Sequence, residues 1–157
     1  MDKLDNNEQI EGVIIQPLRQ IENERGTVLH MLRKDSPLFM GFGEIYFSEV
    51  KFDVVKAWKR HKKMTQHFAV PYGKILLVIY DSREGSKTFG EINEYLLGRP
   101  DNYNLFRIPP QVYYGFKGLN DTVSLIANCA DIPHSPDETE KIDINNNIIP
   151  YQWNCKV

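Results

Sequence analysis

Lys74–Asp81 reads KILLVIYD, six successive apolar residues between a lysine and an aspartate. A strand with one wet face alternates apolar and polar side chains. A strand that is apolar at every position has to be covered on both faces. The chain therefore needs apolar layers on either side of this strand. Elsewhere the pattern is of half-covered strands, as in TVLHML, where Val28, His30 and Leu32 oppose Thr27, Leu29 and Met31. Strands are expected near 12–16, 26–32, 43–52, 54–60, 74–81, within 87–97, and near 104–108, 112–118 and 122–129. Gly, Pro, Asn and Asp punctuate them every 8–12 residues, the rhythm of an all-β sandwich or barrel. Helix signals are thin: DETEKID suits a single turn, and residues 1–11 read as an N-terminal arm. No repeat or linker divides the chain, so residues 1–157 are expected to form one domain, a size that supports a continuous core.

Charge narrows the function classes. Lys56–Lys63 is a local basic cluster, but the net charge is −2 and acidic runs such as DETEK offset it. A nucleic-acid-binding domain carries a broader basic excess, so that class is set aside. Cys129 and Cys155 match no ligand spacing and no disulfide framework, which points to a reducing cytoplasm. The acidic, polar N-terminus does not read as a signal peptide, and no apolar run approaches a membrane span.

The basic cluster opens the stretch KAWKRHKKMTQHFAVPYGK, residues 56–74. Many double-stranded β-helix proteins, the cupins, place His-x-His, four residues, Glu, six residues and Gly on facing strands to hold a metal. Here the same spacing reads Lys59-x-His61, Gln66 and Gly73. The second cupin motif, Pro-x-Gly-x-x-His, becomes Pro109-Pro110-Gln111-Val112-Tyr113-Tyr114. One imidazole with an ammonium, an amide and a phenol is not a donor set for a divalent ion. The expectation is a double-stranded β-helix (a jelly-roll barrel) with no metal and no cofactor. Period-two alternation along 54–61 places Val55, Ala57, Lys59 and His61 on one face, and Val54, Lys56, Trp58 and Arg60 on the other.

Glu24-Arg25-Gly26, YDSREGSKTFGE, LFRIPPQVYYGFKGL and IIPYQW follow in that order along the chain. With them, residues 10 to 153 resemble the dTDP-4-dehydrorhamnose 3,5-epimerase family of metal-free sugar-nucleotide cupins. The resemblance implies a homodimer made by strand exchange. It implies that His61 is the general base removing the proton beside a ketone, a role that suits imidazole. Arg25 falls on an arginine that clamps nucleotide phosphates, and Asp81 on an aspartate inside the barrel that either orients the histidine or binds Arg83. Lys59 and Tyr114 become candidates for stabilising an enolate or a phosphate.

The departures are specific. Trp58 replaces an arginine, Tyr46 and Ser48 replace a Gln-x-Asn pair, and Tyr114 replaces a histidine. Gln66 or His67 lies nearest the family's lysine. Asn128 stands where the family has its tyrosine acid, and an amide delivers no proton to a carbanion; Tyr114, Tyr46 and Tyr113 are the candidate replacements. The expected catalytic set is thus His61, Tyr114, Lys59 and Asp81. The substrate-binding set is Arg25, Tyr46, Ser48, Trp58, Gln66, Arg83 and Asn128. The implied function is epimerisation or keto-isomerisation of a 4-keto-6-deoxy nucleotide sugar for a cell-surface glycan such as lipopolysaccharide or capsule. The alternative is a sugar-nucleotide-binding cupin that has lost its acid.

Overall fold

A computed structural model describes residues 3–153. Two antiparallel five-stranded sheets carry the fold. The first holds β1 (Ile14–Pro17), β9 (Asn104–Ile108), β6 (Gln66–Tyr72), β11 (Val123–Ala130) and β4 (Glu44–Lys51), in that spatial order. The second holds β12 (Thr139–Lys141), β5 (Val55–His61), β10 (Val112–Gly118), β7 (Lys74–Asp81) and β8 (Ile92–Gly98). A separate hairpin pairs β2 (Gln20–Asn23) with β3 (Gly26–Leu29). The two sheets face each other around one apolar core, which is the expected all-β double-stranded β-helix.

Strand β7 shows why KILLVIYD has no polar face. Ile75, Leu77 and Ile79 point into the core between the sheets, against Phe68, Phe106, Ile126 and Phe116. Leu76, Val78 and Tyr80 point the other way, alongside Trp58 and Tyr113 of the same sheet, and Ile149 and Trp153 cover them. Both layers remove large side chains from water, each worth roughly 1.5–3 kcal/mol when fully buried. The outer layer comes from the chain after β12, which folds back over the second sheet.

The turn between β6 and β7 needs Gly73. Its φ is +78°, and a Cβ there would stand 2.7 Å from Ser124 Cα. Backbone conformation and space both demand glycine at this position. At the N-terminus, residues 3–13 lie along β8: Leu4 N–H donates to Glu94 O, and Ile10 N–H donates to Asn93 Oδ1, each at 2.8 Å. The expected arm is therefore laid against the barrel, with Ile10 in the core.

Alternation along β5 holds over only half its length. Tyr114 pairs with Lys59 and Phe116 with Lys56, so two residues of β10 span three of β5. This bulge reverses the faces upstream of it. Lys59 stays opposite inward-facing Tyr114, while Val55 and Ala57 pack with Trp58 on the outer cluster. The expectation that Val55 and Ala57 share a face with His61 is overturned. DETEKID also differs from its reading: only Pro136–Glu138 form a 3₁₀ turn, and Thr139–Lys141 become strand β12 beside β5.

Candidate active site

A cavity of about 490 Å³ opens between the sheets at the end where β5 finishes. The second sheet supplies Lys59 and His61 from β5, Tyr114 from β10, and Thr139 and Lys141 from β12. The first sheet supplies Glu44 and Tyr46 from β4, and His134 and Pro136 close the rim. A larger groove of about 750 Å³ runs along residues 144–153, but among the described residues Tyr151 is its one titratable side chain.

His61 is 5% exposed, and its ring lies nearly parallel to that of Tyr114. Nε2 stands 3.2 Å from Tyr114 Oη, and Nδ1 stands 3.4 Å from Thr139 Oγ1. Burial lowers the imidazole pKa to about 4, against a smaller opposing pull from Glu138. The ring is therefore neutral at pH 7, with one nitrogen protonated and the other carrying the lone pair that accepts hydrogen bonds and can take a proton. A Thr139 hydroxyl accepting Nδ1–H leaves that lone pair on Nε2. Burial also pushes the Tyr114 phenol well above its ordinary range. Lys59 is shifted down by burial and by the like charges of Lys141 and Lys56.

Glu138 is buried behind this wall, and its Oε1 accepts from the backbone N–H groups of Lys63 (2.6 Å) and Met64 (2.7 Å). Burial raises its pKa, but those amides and the nearby His61 outweigh burial and lower it. Glu138 thus ties the segment carrying Thr139 and Lys141 to the turn that follows His61.

On the opposite wall, Asn128 Nδ2 donates to Tyr46 Oη at 2.8 Å and to Gln66 Oε1 at 3.1 Å. The orientation of this amide is set by its other end, because Oδ1 accepts the His67 backbone N–H at 3.2 Å. Burial raises the Tyr46 pKa, while the bond from Asn128 partly lowers it. Gln66 reaches across to both His61 and Tyr114. His61, Lys59, Tyr114 and Tyr46 therefore meet at one cavity, with Gln66 and Asn128 directly behind.

Five expected site residues lie elsewhere in this chain. Trp58 is on the outer face of β5, packed against Tyr151 and Trp153, so it does not line the cavity. Arg25 sits at the tip of the β2–β3 hairpin with its side chain 84% exposed and Glu24 beside it, at 3.8 Å. Ser48 shares Tyr46's face of β4 but does not reach the cavity lining.

Asp81 and Arg83 form a separate buried knot. Asp81 Oδ1 accepts from Arg83 N and Nε, and Oδ2 accepts from Arg83 Nη2, Ser86 Oγ and Thr88 Oγ1, all within 3.0 Å. Arg83 in turn donates to Glu11 O, and Glu11 N–H donates to Thr88 Oγ1. Asp81 faces inward, as expected, but its five bonds hold the 82–90 loop and the N-terminal arm. The expectation of a catalytic Asp81 gives way to the Arg83-binding option.

Burial alone would raise the Asp81 pKa; the bonds from Arg83, Thr88 and Ser86 outweigh it and bring the carboxyl to about 2. Its stabilisation is therefore complete above the unfolded value near 3.8 and is lost as pH falls through about 2. Asp81→Asn is expected to cost about 2–3 kcal/mol at pH 7 by urea unfolding, with the gap closing near pH 2. An unchanged midpoint at pH 7 would refute this role for the knot.

Lys141, Thr139, His134 and Glu138 escaped the sequence reading. The available signal was the alternation Thr139-x-Lys141, hidden inside a segment that reads as a helical turn.

Comparison with known proteins places this geometry in a family. The dTDP-4-dehydrorhamnose 3,5-epimerase family model matches residues 7–157. The chain belongs to that family. The epimerase-family chain is 32% identical over 149 residues to the spore coat polysaccharide biosynthesis protein SpsL of Bacillus subtilis, covering 94% of this chain and 98% of that one. It is 34% identical over 153 residues to the probable low-salt glycan biosynthesis epimerase Agl13 of Haloferax volcanii, covering 94% and 97%. Among solved structures, the dTDP sugar isomerase of Desulfovibrio desulfuricans G20 superposes with a TM-score of 0.90 at 58% identity, covering 92% of each chain. Among the described residues of this epimerase-family chain, no three His, Cys, Asp or Glu side chains gather in a way that could hold a metal ion. What the cavity offers is the neutral His61 imidazole, the Lys59 and Lys141 ammoniums and the Tyr46 and Tyr114 phenols, with Glu44 and His134 also on its lining.

Proposed function

We propose that the chain epimerises a 4-keto-6-deoxy nucleotide sugar, a dTDP sugar by its family, without a metal or cofactor. The observation that carries this reading is the buried, neutral His61 sharing one cavity with Lys59, Tyr114 and Tyr46. His61 takes the proton from the carbon beside the ketone. The C–H pair becomes the enolate double bond, and the Lys59 ammonium stabilises charge on the enolate oxygen. Tyr114 hydrogen-bonds His61 and sets its position. Lys59 and Lys141, cross-strand neighbours of like charge, favour an anionic ligand between them. The spore coat polysaccharide and glycan-biosynthesis relatives support a place in polysaccharide synthesis; a cytoplasmic enzyme serving a cell-surface glycan such as lipopolysaccharide or capsule is part of the same proposal.

The test is incubation with dTDP-4-keto-6-deoxyglucose in heavy water, followed by NMR of the sugar ring. Deuterium at a carbon next to the ketone is expected. Tight binding of the nucleotide sugar with no exchange would instead establish the non-catalytic binder, the reading that Asn128 at the acid's position favours.

We also propose that the enzyme is a homodimer. The β2–β3 hairpin joins neither sheet, Arg25 at its tip is exposed, and Ile45 and Phe47 make the first half of the outer face of edge strand β4 apolar, ahead of Glu49 and Lys51. A partner on this face would cover the apolar patch and give Arg25 a route to the neighbouring cavity. Light scattering should return about twice 18.3 kDa, and a monomer at micromolar concentration would defeat the proposal.

A further inference from the structure

The sequence leaves the proton donor unassigned, because Asn128 occupies the position of the tyrosine acid. The structure narrows the choice by elimination and then by chemistry. Tyr113 points outward, with the Arg60 guanidinium 4.7 Å above its ring. Tyr114 lies on the same wall as His61 and in contact with it. Inversion at carbon requires removal of a proton from one face and delivery to the other, so a donor bonded to the base is on the wrong side. Tyr46 is the phenol that reaches the cavity from the facing sheet, on β4.

Its hydrogen bond decides the matter. The Asn128 amide is oriented by the His67 N–H on its oxygen, so its NH₂ must face Tyr46 and Gln66. Tyr46 Oη therefore accepts, which leaves its own hydrogen unused by Asn128 and available to the cavity. A bond donated to the phenol oxygen also stabilises the phenolate left after proton transfer. Asn128 and Tyr46 are direct cross-strand partners in the register of β11 and β4.

We infer that Tyr46 is the catalytic acid and that Asn128, at the acid's usual position, positions it from the adjacent strand. This rests on the epimerase reading above. The step balances: His61 gains the proton of the C–H bond, the enolate electron pair forms a new C–H bond with the Tyr46 proton on the opposite face, and Tyr46 is left as phenolate. Exchange with solvent then removes the proton from His61 and returns one to Tyr46.

The experiment follows the same keto sugar in heavy water and measures exchange and inversion separately. In Tyr46→Phe, exchange is expected within about threefold of wild type, because His61 still removes the proton and can return deuterium to the same face. Epimer formation is expected to fall by about 10²–10⁴-fold. Asn128→Asp provides an independent variant: its carboxylate would accept the Tyr46 hydrogen, so inversion should again fall more than exchange. Tyr114→Phe should lower exchange and inversion together.

Epimer formation by Tyr46→Phe at the wild-type rate would overturn the assignment, as would loss of inversion alone in Tyr114→Phe. Wild type that exchanges without inverting would leave the keto-sugar reading standing and overturn Tyr46 as the acid. Wild type that does neither would remove the epimerase reading and this inference with it. A misfolded Tyr46→Phe, recognised by its circular dichroism, hands the decision to Asn128→Asp: equal loss of exchange and inversion there counts against the inference.

Discussion

His61→Asn is expected to slow solvent exchange at the carbon next to the ketone by about 10²–10⁴-fold, roughly 3–5 kcal/mol in the barrier. Nucleotide-sugar affinity should change little, because a base acts mainly in the transition state. Asparagine keeps a polar group near Tyr114 and Thr139, so the wall should survive. The pH dependence carries a second signature. Burial holds the folded-state pKa of His61 near 4, against 6.5 for a free imidazole. The ring thus stays unprotonated, and competent as a base, well below the usual histidine limb; the acid side of the exchange profile should lie under pH 6.5.

Stability has the opposite sign. Between about pH 4 and 6.5 the unfolded chain binds a proton that the folded chain refuses, so stability falls as pH drops through that window and is flat above it. The full penalty is about 3 kcal/mol. His61→Asn should remove it, making the variant less pH-sensitive than wild type between pH 4 and 6.5. Exchange by His61→Asn at the wild-type rate would make His61 a wall residue.

How much of this was legible depended on the range of each interaction. KILLVIYD announced two covered faces because its pattern is purely local, and the structure supplies both layers. His61 and Lys59 were legible because their two-residue spacing lies on the regular side of the β5 bulge. The bulge itself was not: an extra residue in one strand is defined against its partner, and β10 lies some fifty positions away in sequence. The fate of Asp81 depended on Ser86, Thr88 and the Glu11 backbone, which no spacing rule joins. Lys141 and Thr139 were hidden because β12 is only three residues long and is held in strand form by pairing with β5. Tyr46 could be named as a candidate from sequence, but the direction of the Asn128 bond that frees its hydrogen is set by a backbone amide two strands away from β4.

The largest stability loss is expected at Trp58. By the family resemblance, its spacing three residues before His61 implies a substrate-site residue; the structure puts it on the outer face of β5, where it is 1% exposed. Its ring meets Trp153 at 5.2 Å and Tyr151 edge-on at 5.9 Å, in one apolar cluster with Leu76 and Val78 of β7. This contact joins the returning C-terminal segment to the second sheet. Trp58→Ala removes the indole and leaves a cavity between them, which should cost about 3–5 kcal/mol in urea unfolding. Trp58→Phe should cost much less, because the ring contact survives and the indole N–H, buried without an acceptor, is removed. The two roles separate cleanly in kinetics. A packing residue lowers the folded fraction but leaves KM for the nucleotide sugar near wild type in protein that is folded. A substrate-binding Trp58 would raise KM tenfold or more with the urea midpoint unchanged, and that result would return it to the site.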